Sequence, residues 1–292
     1  MLSSNKEKIK VIGLGTLAGL VVDELKQYPE YRVYKILAGT TQNNAFSLGS
    51  FNSMQEYEDS LPEGDLELYL DSITENQTVL LVLEGGEPVT GAALRILELV
   101  KHASLTVLFI QPSTSLKSDI AAINSRLAFG ALQEYARSGL LDRMFFVQKS
   151  RIEAMVGEVP INLYEKRVAE ILSYTTAMLY FFEHSEAVIS TNANRPVGCR
   201  LATVGLSSLD LGTSDVRLLF PVKDLRTVEF YYGIPQEEID TNVELMTQIK
   251  NHIEHHFDFG TSDTSFSYKV VPIQNEAPYL LGVFYVLEPQ EF

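Results

Sequence analysis

Thr78-Val79-Leu80-Leu81-Val82-Leu83-Glu84-Gly85-Gly86-Glu87-Pro88-Val89-Thr90-Gly91 opens the stretch whose reading decides the fold. Its uninterrupted apolar run, residues 79–83, is long enough for one buried strand. A glycine-bearing turn follows, then residues 92–100 with helical character. A second apolar run, Leu105-Thr106-Val107-Leu108-Phe109-Ile110, stops at Gln111-Pro112. Strand, turn, helix and strand form a βαβ unit, whose parallel strands are covered on both faces. A turn that opens onto a helix N-terminus offers free backbone N–H groups and a positive dipole end, the usual cradle for phosphate.

Working outward, residues 9–12 form a short strand that runs into Gly13-Leu14-Gly15-Thr16-Leu17-Ala18-Gly19, and a helix follows through Leu25. Residues 31–37 alternate into a second strand. A polar loop is expected over 38–53, then two short helical pieces over 54–60 and 66–73. The acidic run through 56–71 reads as a solvated helical face or, alternatively, a docking surface. A helix is predicted over 118–138, with Ile120, Ile123, Leu127, Ala131 and Leu132 at helical spacing and Gly139 as its C-cap. Met144-Phe145-Phe146-Val147 is another buried strand.

Residues 164–182 give a long helix, with Val168, Ile171, Leu172, Thr175, Leu179 and Phe182 on one stripe. Tyr174, Met178 and Phe181 lie opposite, so the helix is expected to be buried on several sides, between two domains. A polar break at 190–196 marks the boundary. Beyond it, strands are predicted over 199–206, 227–232, 266–273 and 279–287, with one helix over 241–257. The fold class is α/β: a mostly parallel, Rossmann-type sheet, a long central helix and a smaller α+β C-terminal domain. The expected domains are residues 1–163, the connecting helix 164–189, and 190–292.

Composition sets bounds. The 292 residues are 46% hydrophobic and 21% charged, a globular balance. A net charge of −15 repels phosphate backbones, so no nucleic-acid partner is expected. A lone cysteine, Cys199, excludes an internal disulfide and a cysteine-rich zinc site. The first residues lack the apolar core of a signal peptide, and no apolar run approaches the ~18 residues of a membrane helix. A cytoplasmic protein with no membrane segment is expected.

The order of these elements resembles the tubulin/FtsZ superfamily across most of the chain. The resemblance rests on the glycine loop after the first strand, the second glycine loop in the later βαβ unit, and the strand ending before Pro112. The long helix and the smaller α+β domain complete it. It implies a GTP-binding domain, a connecting helix, and a second domain whose loop completes the GTPase site of the next subunit in a filament. On this basis the nucleotide-binding positions are Gly13, Gly15, Thr16, Gly19, Gly85, Gly86, Thr90, Gly91 and Glu170. The inter-subunit loop holds Asn192, Asn194 and Arg195, and the partner is a second copy of the chain, head to tail.

The sequence departs from the family where the chemistry resides. The signature Gly-Gly-Gly-Thr-Gly-(Ser/Thr)-Gly reads Gly85-Gly86-Glu87-Pro88-Val89-Thr90-Gly91. Glu87 puts a carboxylate where phosphate oxygens belong, and two charges ~4 Å apart repel by ~1 kcal/mol even in water. Pro88 removes an N–H, and Val89 bars the positive φ open to glycine. Leu20, Leu116, Ile120 and Lys149 replace an Asn, a Glu, an Arg and an Asn of the family. The hydrolytic Asn-x-Asp-x-x-Asp loop becomes Asn192-Ala193-Asn194-Arg195-Pro196-Val197, without a carboxylate. The resemblance then implies a self-assembling protein with a degenerate GTP site and no catalytic residues.

Two alternatives are a working GTPase with an unusual phosphate loop and an NAD(P)-dependent oxidoreductase. The second rests on Gly13, Gly15 and Gly19, and lacks the acidic residue at the end of the second strand, where Ile36-Leu37-Ala38 stand. His252, His255 and His256, with Glu254 and Asp258 near in sequence, suit an exposed helix end better than a metal. Tyr28, Tyr31 and Tyr34 form either an exposed aromatic surface or half-buried packing.

Overall fold

The computed structural model describes residues 9–113, 118–191, 198–208, 216–257, 264–274 and 278–291. The chain divides into two compact units, Met1–Ala177 with Glu291–Phe292, and Met178–Gln290.

The first unit is built on β1 (Ile9–Leu14), β2 (Tyr31–Ala38), β3 (Phe46–Leu48), β4 (Thr78–Glu84), β5 (Ser104–Gln111) and β6 (Arg143–Gln148). Their order is β3-β2-β1-β4-β5-β6, with every pair parallel. The decisive apolar run is β4, in the centre, and Val79 to Leu83 are buried to within 1%. Helices α1 (Thr16–Leu25), α2 (Met54–Asp59), α3 (Glu63–Leu70), α4 (Ala93–Leu99), α5 (Asp119–Ser138) and α6 (Lys149–Val156) connect the strands. The strand order reverses between β1 and β4, and a crevice for ligands forms outside the C-terminal ends of strands at such a point.

Several predicted boundaries shift. The loop expected over 38–53 contains β3, and α6, not foreseen, follows β6 directly. The turn after β4 leads first into a 3-10 segment, Pro88–Ala92, before α4 begins. Ser118 caps α5 by accepting the Ala121 N–H, and Gly139 closes it at φ 92°. Of the α5 residues expected at helical spacing, Leu132 is buried and Ala131 half-buried, whereas Ile120, Ile123 and Leu127 are exposed. Ser125, Ala128, Phe129, Gln133 and Ala136 are buried together with Leu132. Tyr31 and Tyr34 are buried, which removes the exposed aromatic surface.

Helix α7 (Tyr164–His184) carries the chain from one unit into the other. Val168, Leu172, Thr175, Leu179 and Phe182 are buried on it, and so is Met178 on the face opposite the stripe, while Tyr174 and Phe181 of that face are exposed. The second unit holds β7 (Ile189–Ser190), β8 (Leu201–Ser208), β9 (Arg217–Leu218), β10 (Leu225–Pro235), β11 (Ser265–Ile273) and β12 (Tyr279–Val286), with α8 (Gln236–Thr241) and α9 (Leu245–Phe257). Its sheet runs β8-β12-β10-β11-β7, with β9 on β8, and only β10–β11 is parallel among these pairs of the described residues. The helix predicted over 241–257 is α9, which starts later, at Leu245; α8, not foreseen, precedes it, and Asn242 accepts the Glu244 N–H in the turn between them.

Two contacts fix the start of α2. Ser53 and Glu56 form a capping box, each side chain accepting a backbone N–H at the other's end of the first turn. Gly91 then lies against the Met54 carbonyl, where a Cβ would overlap it. We expect Ser53→Ala to cost about 1 kcal/mol in urea denaturation. Gly91→Ala should cost about 1–3 kcal/mol through overpacking. Equal stability of the Gly91→Ala variant and the parent would contradict this packing.

Candidate nucleotide-site loops

The two glycine loops meet at the C-terminal edge of the parallel sheet. After β1 the backbone turns at Gly15, φ 94°, and α1 begins at Thr16 with no side-chain cap and no acidic residue in its own first turn. The anion comes from the other loop: the Thr16 N–H donates to Glu87 Oε2 at 3.1 Å. A Cβ on Gly15 would stand 2.5 Å from that carboxylate oxygen and 3.3 Å from Val89 Cγ1. Glu87 and Val89, two of the departures from the glycine signature, therefore lie directly on the first loop. A carboxylate here satisfies an orphan helix donor and meets the positive end of the dipole.

Other candidate residues serve packing. Gly13 and Gly19 let α1 sit closely on β1 and β2, since Cβ atoms would press on Val22 and on Lys35 and Leu37. Gly85 and Gly86 let the turn lie against α5, beside Ser125 and Ala121. Thr90 is buried and gives its hydroxyl to the Glu87 carbonyl at 2.8 Å, the same carbonyl that accepts the Thr90 N–H. Thus Gly15, Thr16 and Thr90 converge on Glu87, whereas Gly91 faces α2. Glu170 pairs with Arg167 at 2.7 Å. Asn192, Asn194, Arg195 and Leu116 lie outside the described residues.

Sequence reasoning missed an ion set at the same edge. Glu84, the last residue of β4, is buried, and Lys149, the first of α6, is buried beside it with Nζ 3.6 Å from Glu84 Oε1. Lys149 also donates to both Glu165 oxygens at 2.9 Å. Burial pulls the lysine pKa down, but the charges of Glu84 and Glu165 outweigh it and hold the ammonium above its ordinary value. The signal was present in the sequence: a single carboxylate ending a wholly apolar strand requires a cation. Two further polar atoms at this edge, Gln111 Oε1 and Ser125 Oγ, are buried with no hydrogen-bond partner among the described residues.

The histidines do not form a site. His252 is buried, not at an exposed helix end, and its Nδ1 meets the Tyr232 hydroxyl at 3.0 Å. The side chains of His255 and His256, and Asp258, lie outside the described residues. Among the described residues no group of three or more His, Cys, Asp or Glu could hold a metal ion, and no helix is long and apolar enough to cross a membrane.

The fold is tubulin/FtsZ-like. The chain is similar to FtsZ from M. jannaschii, solved as an empty dimer, at TM-score 0.71 and 14% identity, covering 98% of this chain and 90% of that one. It is similar to CetZ2 from Haloferax volcanii, a GTPγS-bound protofilament, at TM-score 0.75 and 12% identity, covering 97% and 94%. TubZ of Bacillus thuringiensis serovar israelensis, in GDP-form protofilaments, matches at TM-score 0.70 and 13% identity, covering 96% and 88%. No protein-family model matches the sequence, and no curated protein matches it.

Removing one anion from the Glu84–Lys149–Glu165 set should leave a buried charge short of a partner. We expect Glu84→Gln to cost ~3 kcal/mol, the low end for breaking a buried pair, because Glu165 still faces the lysine. The raised Lys149 pKa sets the pH dependence. Its contribution is complete below the unfolded value of 10.5 and is lost as pH rises through the higher folded value. Urea titrations of the parent and Lys149→Met should therefore converge at strongly alkaline pH. A constant gap across that range would contradict the assignment.

Proposed function

We propose that this chain is a tubulin/FtsZ-like self-assembling protein whose phosphate site is filled by its own Glu87 carboxylate, and that it does not hydrolyse GTP. The observation that carries this reading is the 3.1 Å bond from the Thr16 N–H to Glu87. An anion already occupies the N-terminus of α1, so a nucleotide phosphate must displace it and then sit beside it. Pro88 and Val89 add a missing donor and a bulky wall. In the domain scheme we adopt, residues 1–163 form the nucleotide-binding-type domain, 164–189 the connecting helix and 190–292 the C-terminal domain. The loop carrying Asn192, Asn194 and Arg195 would face the 84–91 turn of the next copy, without a carboxylate to orient water.

A second reading, GTP binding by an altered loop, draws support from the buried Gln111 and Ser125 oxygens, which a ligand or water would satisfy. Calorimetry with Mg²⁺-GTP separates the two. We expect affinity no tighter than high micromolar, and a gain in the triple variant Glu87→Gly, Pro88→Thr, Val89→Gly. A low-micromolar constant for the parent would refute self-occupancy of the site.

Assembly is the second test. The solved neighbours include protofilaments, and a head-to-tail contact repeats without closing. Net charge −15 makes each added subunit repel the last, and salt shortens that repulsion to ~8 Å near physiological ionic strength. Sedimentation should show association that strengthens with salt and ignores GTP. A monomer at every salt concentration would exclude the assembly reading.

A further inference from the structure

Helix α9 lies on its sheet through the buried Leu245, Ile249 and His252, four and three residues apart. A histidine thus holds the place where helical spacing calls for a third apolar side chain. It is 5% exposed, beside a core that contains Val228, Phe230, Tyr232, Val270 and Phe284. Its Nδ1 meets the Tyr232 hydroxyl at 3.0 Å. The ring stands edge-on to Phe230 and Tyr232, with centroids 5.8 and 5.7 Å away. A neutral imidazole suits this seat, because it offers one donor and one acceptor and the hydroxyl can match either.

A charged ring does not suit it. An imidazolium has two donors and no acceptor, so Tyr232 would have to accept and find a new place for its own proton. Burial, reinforced by Tyr268, pushes the Tyr232 phenol above its ordinary range, so it stays a hydroxyl and supplies no counter-charge. Of the described side chains in this core and packed on it, only Tyr232 and Tyr268 titrate, and no carboxylate is among them. Helix α8 reaches the core through Ile239 and β12 through Leu280 and Phe284, all apolar. On α9 itself Lys250 and Glu254 are exposed, and the side chains of His255 and His256 lie outside the described residues. Attraction of a cation to aromatic rings recovers less than a buried charge loses on leaving water.

We propose that His252 is a proton switch in the seat of α9. Neutral, it holds the helix on the sheet; charged, it releases the helix and bares Phe230, Tyr232 and Phe284. The opened segment binds a proton that the seated one refuses, so seating weakens as pH falls through the free imidazole value of about 6.5. The switch lies wholly within the second unit and does not depend on the glycine loops.

Amide hydrogen exchange of the full chain at pH 7.5 and 5.5, corrected for intrinsic rates, tests it. One proton linked to opening gives a roughly tenfold rise in the opening of α9 over that range, with β4 unchanged. His252→Gln keeps an acceptor for Tyr232 but takes no proton, and is expected to abolish the rise; His252→Phe gives the same result where the amide variant does not fold. Imidazole ¹⁵N shifts of the parent need no substitution, and the seated ring should read neutral at pH 5.5. A charged ring on a seated helix would overturn the proposal. So would a rise that survives both His252 variants or that follows His255→Gln or His256→Gln instead. Equal opening of β4 would also overturn it, by assigning the response to the whole chain.

Discussion

A parallel sheet covered on both faces admits a buried charge only with a counter-charge in contact, and this constraint organises the first unit. Strand β4 is apolar from Val79 to Leu83 and ends on Glu84, which is buried at the C-terminal edge. Desolvating a carboxylate there is tolerable only with a cation in contact, and Lys149 supplies it from the first position of α6. Glu165, more exposed, completes the set from α7 and keeps the lysine charged. The ion set thus ties the end of the central strand to two helices that are distant in sequence. An amide in place of Lys149 could not balance Glu84, so the two residues require one another.

The same edge brings two loops together through a shared anion. Helix α1 begins without an acidic residue of its own, and the 84–91 turn delivers one. A tethered group acts at an effective concentration on the order of mM. On the proposed reading, a free phosphate would compete against that concentration before its own contacts count, and would also meet the displaced carboxylate as a neighbour. On that reading Glu87 would be a stronger obstacle than the loss of a glycine. A missing glycine removes room, whereas this carboxylate supplies a rival ligand already in place.

Much of the fold was legible because buried parallel strands leave simple marks. The apolar runs of β4, β5 and β6 and the glycines after β1 and β4 located the sheet, and the order of elements pointed to its family resemblance. What escaped was short or depended on partners distant in sequence. Strand β3 is only Phe46–Leu48 and pairs at the edge with β2, too little to show periodicity. Helix α6 starts without an intervening turn, since Lys149 is held by Glu84 rather than by a local cap. In the candidate site, Glu87 was readable as an anion in the second glycine loop. Its partner, the Thr16 N–H, was not, because a backbone donor has no signature in sequence.

Helix α5 shows why periodicity alone misassigns a face. Three of its large apolar residues, Ile120, Ile123 and Leu127, share a stripe, and a hydrophobic pattern turns that stripe inward. The inner face is set instead by how closely the backbones approach. Gly85 and Gly86 bring the turn after β4 so near that a Cβ on either would strike Ser125 or Ala121. Only small side chains fit opposite such a turn, so Ala121 and Ser125 meet it, and bulk returns at Phe129 and Leu132. Phe129 then packs on Phe109 of β5 and Phe146 of β6, with ring centroids 5.0 and 5.6 Å apart. The inner face is thus fixed by glycines in another element. The outer face, released from packing within the chain, keeps large apolar residues whose burial this chain does not provide.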